Sequence, residues 1–269
     1  MRDIRDELSS FNGGGFSSRF TLNMDVGPTY KEIYLRTNLD NDQLTRITLT
    51  LNGDAIVDVD GEQLRMLEAY KHAAKGYTAP DGHFKIPLAD FTNKSQEGQD
   101  LSGLVTLPGD NLVLEIRTAA ATAQQVTDSL VPTMQADAVM GIAQGRRVLV
   151  PRLYSELIPV GATGKNKYRN FPRGPRIRRL HLNGPVTQLE IVRDDLTRFD
   201  SDKELQDDLL KREGLTPQSG YFHFDPLMYH FGISDMMQTA AAKNFEINPT
   251  VSSAGDFEVL FETLESVAS

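Results

Sequence analysis

Two stretches of this chain, 131 residues apart, spell nearly the same word: Leu49-Thr50-Leu51-Asn52-Gly53 and Leu180-His181-Leu182-Asn183-Gly184. Each reads as a strand whose alternate leucines face one side. In the first, Asn-Gly closes the strand as a hairpin turn, because both residues tolerate positive φ. Other words return in the same order. Tyr30-Lys31-Glu32-Ile33 returns as Tyr154-Ser155-Glu156-Leu157, 124 residues on. Gly82-His83-Phe84 with Pro87-Leu88 returns as Gly220-Tyr221-Phe222 with Pro226-Leu227. Gly109-Asp110 with Val113-Leu114 returns as Gly255-Asp256 with Val259-Leu260, 146 residues on. A constant order with a slowly growing offset is the mark of one domain copied twice, with loops inserted. The last anchor carries a conflict of phase. Leu112, Leu114 and Ile116 share a face in the first copy, and Phe257, Val259 and Phe261 share one in the second. Either a bulge intervenes or the alignment is one residue off, since a one-residue slip turns a strand over.

Strands dominate the rest. Phe20, Leu22, Met24 and Val26 alternate with Arg19, Thr21, Asn23 and Asp25, the period of a strand with one buried face. Further strands are expected at 84–88, 112–116, 180–182, 221–224 and 257–261. The spacing predicts a helix over 62–75, with Leu64, Leu67, Tyr70 and Ala74 on one stripe, Asp60 as its cap and Gly76 past its end. A second is expected over 202–213, where Ser201 and Glu204 fit a capping box and Leu205 and Leu209 share a face. A weaker third covers 135–143. The fold class is therefore all-β: two tandem jelly-roll β-barrels, each with a short helical insertion. Cross-connections long enough to hold a helix favour the jelly roll over an immunoglobulin-like sandwich. The expected division is an N-terminal arm over 1–19, a first jelly roll over 20–118, a linker over 119–145 and a second jelly roll over 146–269.

Composition narrows the chemistry. The 269 residues include no cysteine, which removes disulfides, thiol nucleophiles and cysteine-ligated metals together. The opening residues lack the apolar run of a signal peptide, so synthesis in a cytoplasm is expected. A net charge of −9 argues against a dedicated nucleic-acid binder. No GxSxG, HExxH, Walker or GxGxxG pattern is present. Of the five histidines no two are adjacent or one apart, and only His223 and His230 are close enough in sequence to suggest a meeting in space. Glu32 and Glu156 occupy matching positions of the two copies, unlike the unequal carboxylate pair of a glycosidase. An enzyme is not expected.

Three features remain as candidates for binding. Asp40, Asn41 and Asp42 in one turn, and Asp194-Asp195 in another, offer hard oxygens suited to calcium. Ten basic residues lie between Arg146 and Arg179 against the single acid Glu156, leaving 18 basic and 36 acidic residues elsewhere. Arg169, Arg173, Arg176, Arg178 and Arg179 in that block are expected to form a subunit or partner contact, meeting acidic groups on a neighbour. Ile4, Leu8 and Phe11 fall on one helical face ahead of Gly13-Gly14-Gly15, as in a short arm that docks elsewhere.

Tandem jelly rolls with inserted helices, the LxLNG strand-turn, the Gly-aromatic strand ending in Pro-Leu and the closing GDxxVL hairpin resemble double-jelly-roll viral major capsid proteins. The length and the opening up to Gly15 look most like that of corticovirus-type tailless marine phages with an internal membrane. The resemblance implies a structural capsid protein of the virion. Homotrimers of pseudo-hexagonal outline would tile an icosahedral shell around that membrane. It also implies contacts with neighbouring capsomers and minor capsid or membrane proteins, an inner-surface arm at Ile4, Leu8 and Phe11 near lipid, and calcium association. A tandem β-sandwich carbohydrate-binding or adhesion module, calcium-dependent in one form, is the alternative.

Overall fold

The structure, a computed structural model, describes residues 3–241 and 243–267. The chain forms two compact units, Met1–Glu68 with Thr78–Pro151, and Ala69–Tyr77 with Arg152–Ser269.

The first half of the chain runs β1 (Ile4–Glu7), β2 (Asn12–Gly13), β3 (Arg19–Met24), β4 (Thr29–Thr37), β5 (Leu44–Leu51), β6 (Asp54–Val59), α1 (Gly61–His72), β7 (His83–Pro87), α2 (Gln96–Ser102), β8 (Leu104–Val105), β9 (Leu112–Thr118), α3 (Ala123–Thr127) and β10 (Met134–Gly141). In the first unit one sheet has the order β1-β10-β4-β7, with β8 also on β4, and the other the order β6-β5-β9-β3-β2. The second half runs β11 (Leu149–Ile158), β12 (Gly164–Lys165), β13 (Arg176–Asn183), β14 (Val186–Arg193), β15 (Leu196–Asp202), α4 (Lys203–Arg212), β16 (Tyr221–Phe224), β17 (Met237–Gln238), β18 (Phe245–Val251) and β19 (Phe257–Ser266). Its sheets are β16-β13-β19-β11, with β17 also on β13, and β12-β18-β14-β15.

Period-two patterning produces the cores. On β3, Phe20, Leu22 and Met24 are buried while Arg19 and Asn23 are exposed. In the second unit Leu180, Leu182, Phe222 and Phe261 of one sheet pack in a single cluster with Leu189, Ile191, Phe245 and Ile247 of the other. That is the interior of a two-sheet sandwich.

Strand register settles the phase conflict. In the first copy Leu49 lies opposite Leu114 and Leu51 opposite Leu112. In the second Leu180 lies opposite Phe261 and Leu182 opposite Val259. Leu112 therefore corresponds to Val259, an offset of 147 rather than 146. The Gly-Asp anchor is one residue off, and no slip separates the copies.

Two-residue turns behave as their sequence demands. Asn52 and Gly53 both have positive φ between β5 and β6, and Asp194 and Asp195 both do between β14 and β15, the geometry of a hairpin that matches strand twist. Gly82, before β7, has φ +68°, and a Cβ there would lie 1.9 Å from the Thr37 carbonyl oxygen. Gly82→Ala is expected to destabilise the fold by at least about 2 kcal/mol, combining left-handed strain with overlap against backbone. Gly109→Ala, at φ +90° with open space around it, should cost only about 1 kcal/mol, the lower end of that strain. Paired urea titrations measure the difference.

Three expectations are corrected. Residues 135–143 are not helical: β10 pairs with β1 on one side and β4 on the other. Its Ala136 and Ala138 are buried. Alanine favours helices in isolation, but two pairing partners override that propensity. The stretch 119–145 is accordingly no linker, since β10 is an interior strand of the first unit. The arm is likewise a strand: Ile4 lies opposite Met140 and Glu7 opposite Asp137, so Ile4, Leu8 and Phe11 do not share a helical face.

The helices show smaller shifts. Asp60 caps α1 as expected, accepting from Gln63 N–H at 2.8 Å while the Gln63 side chain accepts from Asp60 N–H at 3.1 Å. The cap of α4 is Asp202, which accepts from Leu205 N–H, not Ser201. The buried face of α4 then carries Gln206 and Leu210, and Leu205 is exposed.

Candidate functional site: a buried charge cluster

The inward face of β13 and β19 carries Leu180, Leu182, Val259 and Phe261. The opposite face carries Arg179, His181 and Glu262. In the first copy the same positions, Thr48, Thr50 and Glu115, lie on a half-buried face. Glu115 there meets Arg19 and Arg117, both well exposed. In the second copy Arg179, His181 and Glu262 are buried to within 2 %. The cover comes from Ala69–Tyr77, which belongs to this unit. The Tyr70 ring stacks on His223, centroids 4.4 Å apart, and meets His181 edge-on at 5.1 Å. Thr216 N–H donates to the Tyr70 carbonyl at 2.8 Å.

Under this cover a directed network forms. Arg179 Nε donates to Asp225 Oδ2 at 2.7 Å and its Nη1 to Glu262 Oε2 at 3.2 Å. The Tyr70 hydroxyl donates to Asp225 Oδ2 at 3.0 Å. Lys71 Nζ lies 3.0 Å from Glu262 Oε1. Gln218 N–H donates to His223 Nε2 at 2.9 Å. A neutral imidazole accepts on one nitrogen and donates from the other. His223 must therefore carry its proton on Nδ1 and donate it to His181 Nδ1, 2.7 Å away. His181 in turn carries its proton on Nε2, 3.3 Å from Glu262 Oε1.

Charge follows this geometry. Burial alone would raise the Glu262 carboxyl, but Lys71, Arg179 and the His181 hydrogen bond outweigh it and hold the group well below the usual range. Burial lowers Lys71 against the pull of Glu262, and lowers His181 likewise. Burial, then the nearby His181 and Lys203, pushes His223 down to about 2. Nothing in the repeat pattern marked these residues as one site. The one available signal was divergence: Thr48 and Thr50 became Arg and His while the leucines between them stayed.

The basic block is largely answered within the chain. Lys165 pairs with Glu190 at 2.7 Å, and Arg169 with Glu246 at 2.7 Å. The hydrogen bond from Lys165 holds Glu190 below its ordinary value. Arg173 donates to the Lys243 carbonyl, and Arg176 is half-buried opposite Leu264 and Gln238. Arg178 and Arg179 are buried, which takes them out of the contact surface expected for them: carboxylates inside the second unit already satisfy Arg179.

His223 meets His181, not His230, which is exposed with φ +69°. Asp40 precedes a 3-10 turn over Asn41–Gln43, where its N–H donates to the Gln43 side chain. Asp194 accepts from Lys243 N–H, and Asp195 pairs with Lys243 Nζ at 3.0 Å. Among the described residues no three or more His, Asp or Glu converge as a metal site. The acidic turns thus bring together fewer side-chain donors than the six to eight oxygens calcium takes. At the arm, Lys31 is fully buried between Asp3 and Asp100, 2.7 Å from each. Ile4 is exposed, while Leu8 and Phe11 are half-buried.

No helix among the described residues is long and apolar enough to cross a membrane. A search of curated proteins finds no match. Models of a known family do match. The viral coat protein P2 N-terminal domain matches residues 5–141, and the viral coat protein P2 C-terminal domain matches residues 150–267. Among solved structures, the major capsid protein P2 from bacteriophage PM2 is similar with a TM-score of 0.84 at 15 % identity, covering 99 % of this chain and 98 % of that one. A chain of Sulfolobus turreted icosahedral virus is similar at 0.69 and 12 % identity, covering 99 % and 91 %. The Faustovirus major capsid protein is similar at 0.61 and 7 % identity, covering 99 % and 90 %. Identities this low speak for the fold, the double jelly roll, and the two domain models speak for the family.

Proposed function

Because the chain belongs to the viral coat protein P2 family, we propose that it works as a homotrimer, the repeating block of an icosahedral shell that encloses a membrane. That it is a structural coat protein of the virion capsid, and not an enzyme, follows from the family itself. The observation that carries the trimer is the duplication. Each chain holds two copies of one sandwich, so a closed ring of three presents six similar units, an outline that tiles a shell with hexagonal packing. Such a ring uses head-to-tail contacts, in which two different faces of the chain meet. The arm, with Ile4 exposed on an edge strand, suits the face turned toward the interior and its lipid or minor proteins.

Light scattering of the purified chain is expected to give three times the 29.9 kDa chain mass. A strict monomer at high concentration counts against the trimer and leaves the family unaffected.

A further inference from the structure

The His181–His223 pair has room for one proton between its rings and no more. Gln218 N–H fixes His223 Nε2 as an acceptor, and the 2.7 Å gap between the two Nδ1 atoms holds a single hydrogen. A second proton on His223 sets N–H against the Gln218 N–H. A second proton on His181 sets two N–H groups head to head. Every added proton therefore breaks a named hydrogen bond, and neither ring reaches solvent.

The surroundings sharpen the penalty. Tyr70 and Lys71 face the pair from the Ala69–Tyr77 segment, Arg178 and Arg179 from β13, Glu262 from β19, and Tyr221 and Asp225 from β16 and the turn after it. Lys203 at the start of α4 acts on His223 as well. Four cations stand against three carboxylates, counting Asp207 on Lys203, and Glu262 and Asp225 are already engaged by Lys71 and Arg179, so an imidazolium adds to a surround that is already net positive. The first unit, by contrast, holds one histidine, His83, which is exposed.

We propose that the His181–His223 pair is an acid-sensitive latch, protonation of which releases the Ala69–Tyr77 segment from the second unit while the first unit stays folded. Tyr70 is the moving part, because its ring rests on both imidazoles and its hydroxyl reaches Asp225. The sign follows from burial. An unfolded histidine takes up its proton near pH 6.5, and these two stay neutral when folded. The latch is therefore at full strength above about pH 6.5 and weakens as pH falls below it, by up to about tenfold per pH unit for each proton taken up.

Hydrogen exchange read by mass spectrometry on the full chain tests this, with rates corrected for intrinsic pH dependence. Between pH 8 and pH 5, peptides covering 69–77 and 216–225 are expected to lose about thirtyfold in protection for one proton, and more for two. Peptides from β5 and β9 should keep theirs. In the His181→Asn/His223→Asn double substitution, which retains one N–H···O bond between the sites and removes both titrations, the loss should vanish. Flat protection in the natural chain, loss that begins only below pH 4.5, or equal loss in the double variant overturns the latch. Should the double variant fail to fold, the pH profile of the natural chain decides alone.

Discussion

Glu262→Ala should lower the unfolding free energy by about 3–5 kcal/mol, the loss typical of removing one partner from a buried ion pair. Glu262 is the hub of the cluster: Lys71, Arg179 and His181 all point to it. Its removal leaves the buried Arg179 with Asp225 as its carboxylate partner and takes from the part-exposed Lys71 the carboxylate it pairs with. The duplication supplies an internal control. Glu115, the matching residue of the first copy, meets Arg19 and Arg117, whose side chains are 68 % and 57 % exposed. Glu115→Ala should cost within about 1 kcal/mol, the range of surface pairs. Urea titrations at pH 8 compare the two. Equal losses would show that the cluster is solvated and contributes no more than a surface pair.

Residues 150–269 made alone should not fold cooperatively. Without Tyr70 and Lys71 the outer face of β13 and β19 loses its cover, and Arg179, His181, His223 and Glu262 meet water on a surface shaped to exclude it. Near-ultraviolet circular dichroism should lack fixed aromatic signals, and urea should give a broad, shallow transition. A peptide of residues 61–77 added in trans should restore both. A sharp transition in the isolated fragment, unchanged by the peptide, would contradict the role given to the segment.

How much of this was legible beforehand depends on range. The strands with one wet face, such as β3 and β5, were visible because alternation survives in the sequence. Both LxLNG words became strands ending in tight turns. β10 was missed as a strand because its pairing partners lie far away in the chain, and because Ala136 and Ala138, although two residues apart, are good helix formers that mask the alternation. The face of β19 was legible, and it was the Gly-Asp and Val-Leu anchor that misled by one residue, for a related reason. Both its faces are buried from Val259 to Leu264, so Val259-Leu260 could be matched to Val113-Leu114 one residue out of register, and the pairing with β13 corrects the match. The basic block looked like a surface because a linear count cannot distinguish Arg169, which is exposed and paired with Glu246, from Arg179, which points into the protein. The charge cluster draws on residues 70, 71, 179, 181, 218, 223, 225 and 262, a set no local window contains.

The Ala69–Tyr77 segment also bears on how such a gene can be reshuffled. The two copies look like separable halves, with an obvious crossover point near residue 145. Yet nine residues that complete the second copy are encoded inside the first. A recombinant that exchanges halves at the midpoint would join one parent's Tyr70 and Lys71 to another parent's histidines and glutamate. Viable chimeras should therefore be those whose parents agree at these positions, or those that carry the short upstream stretch along with the distal half.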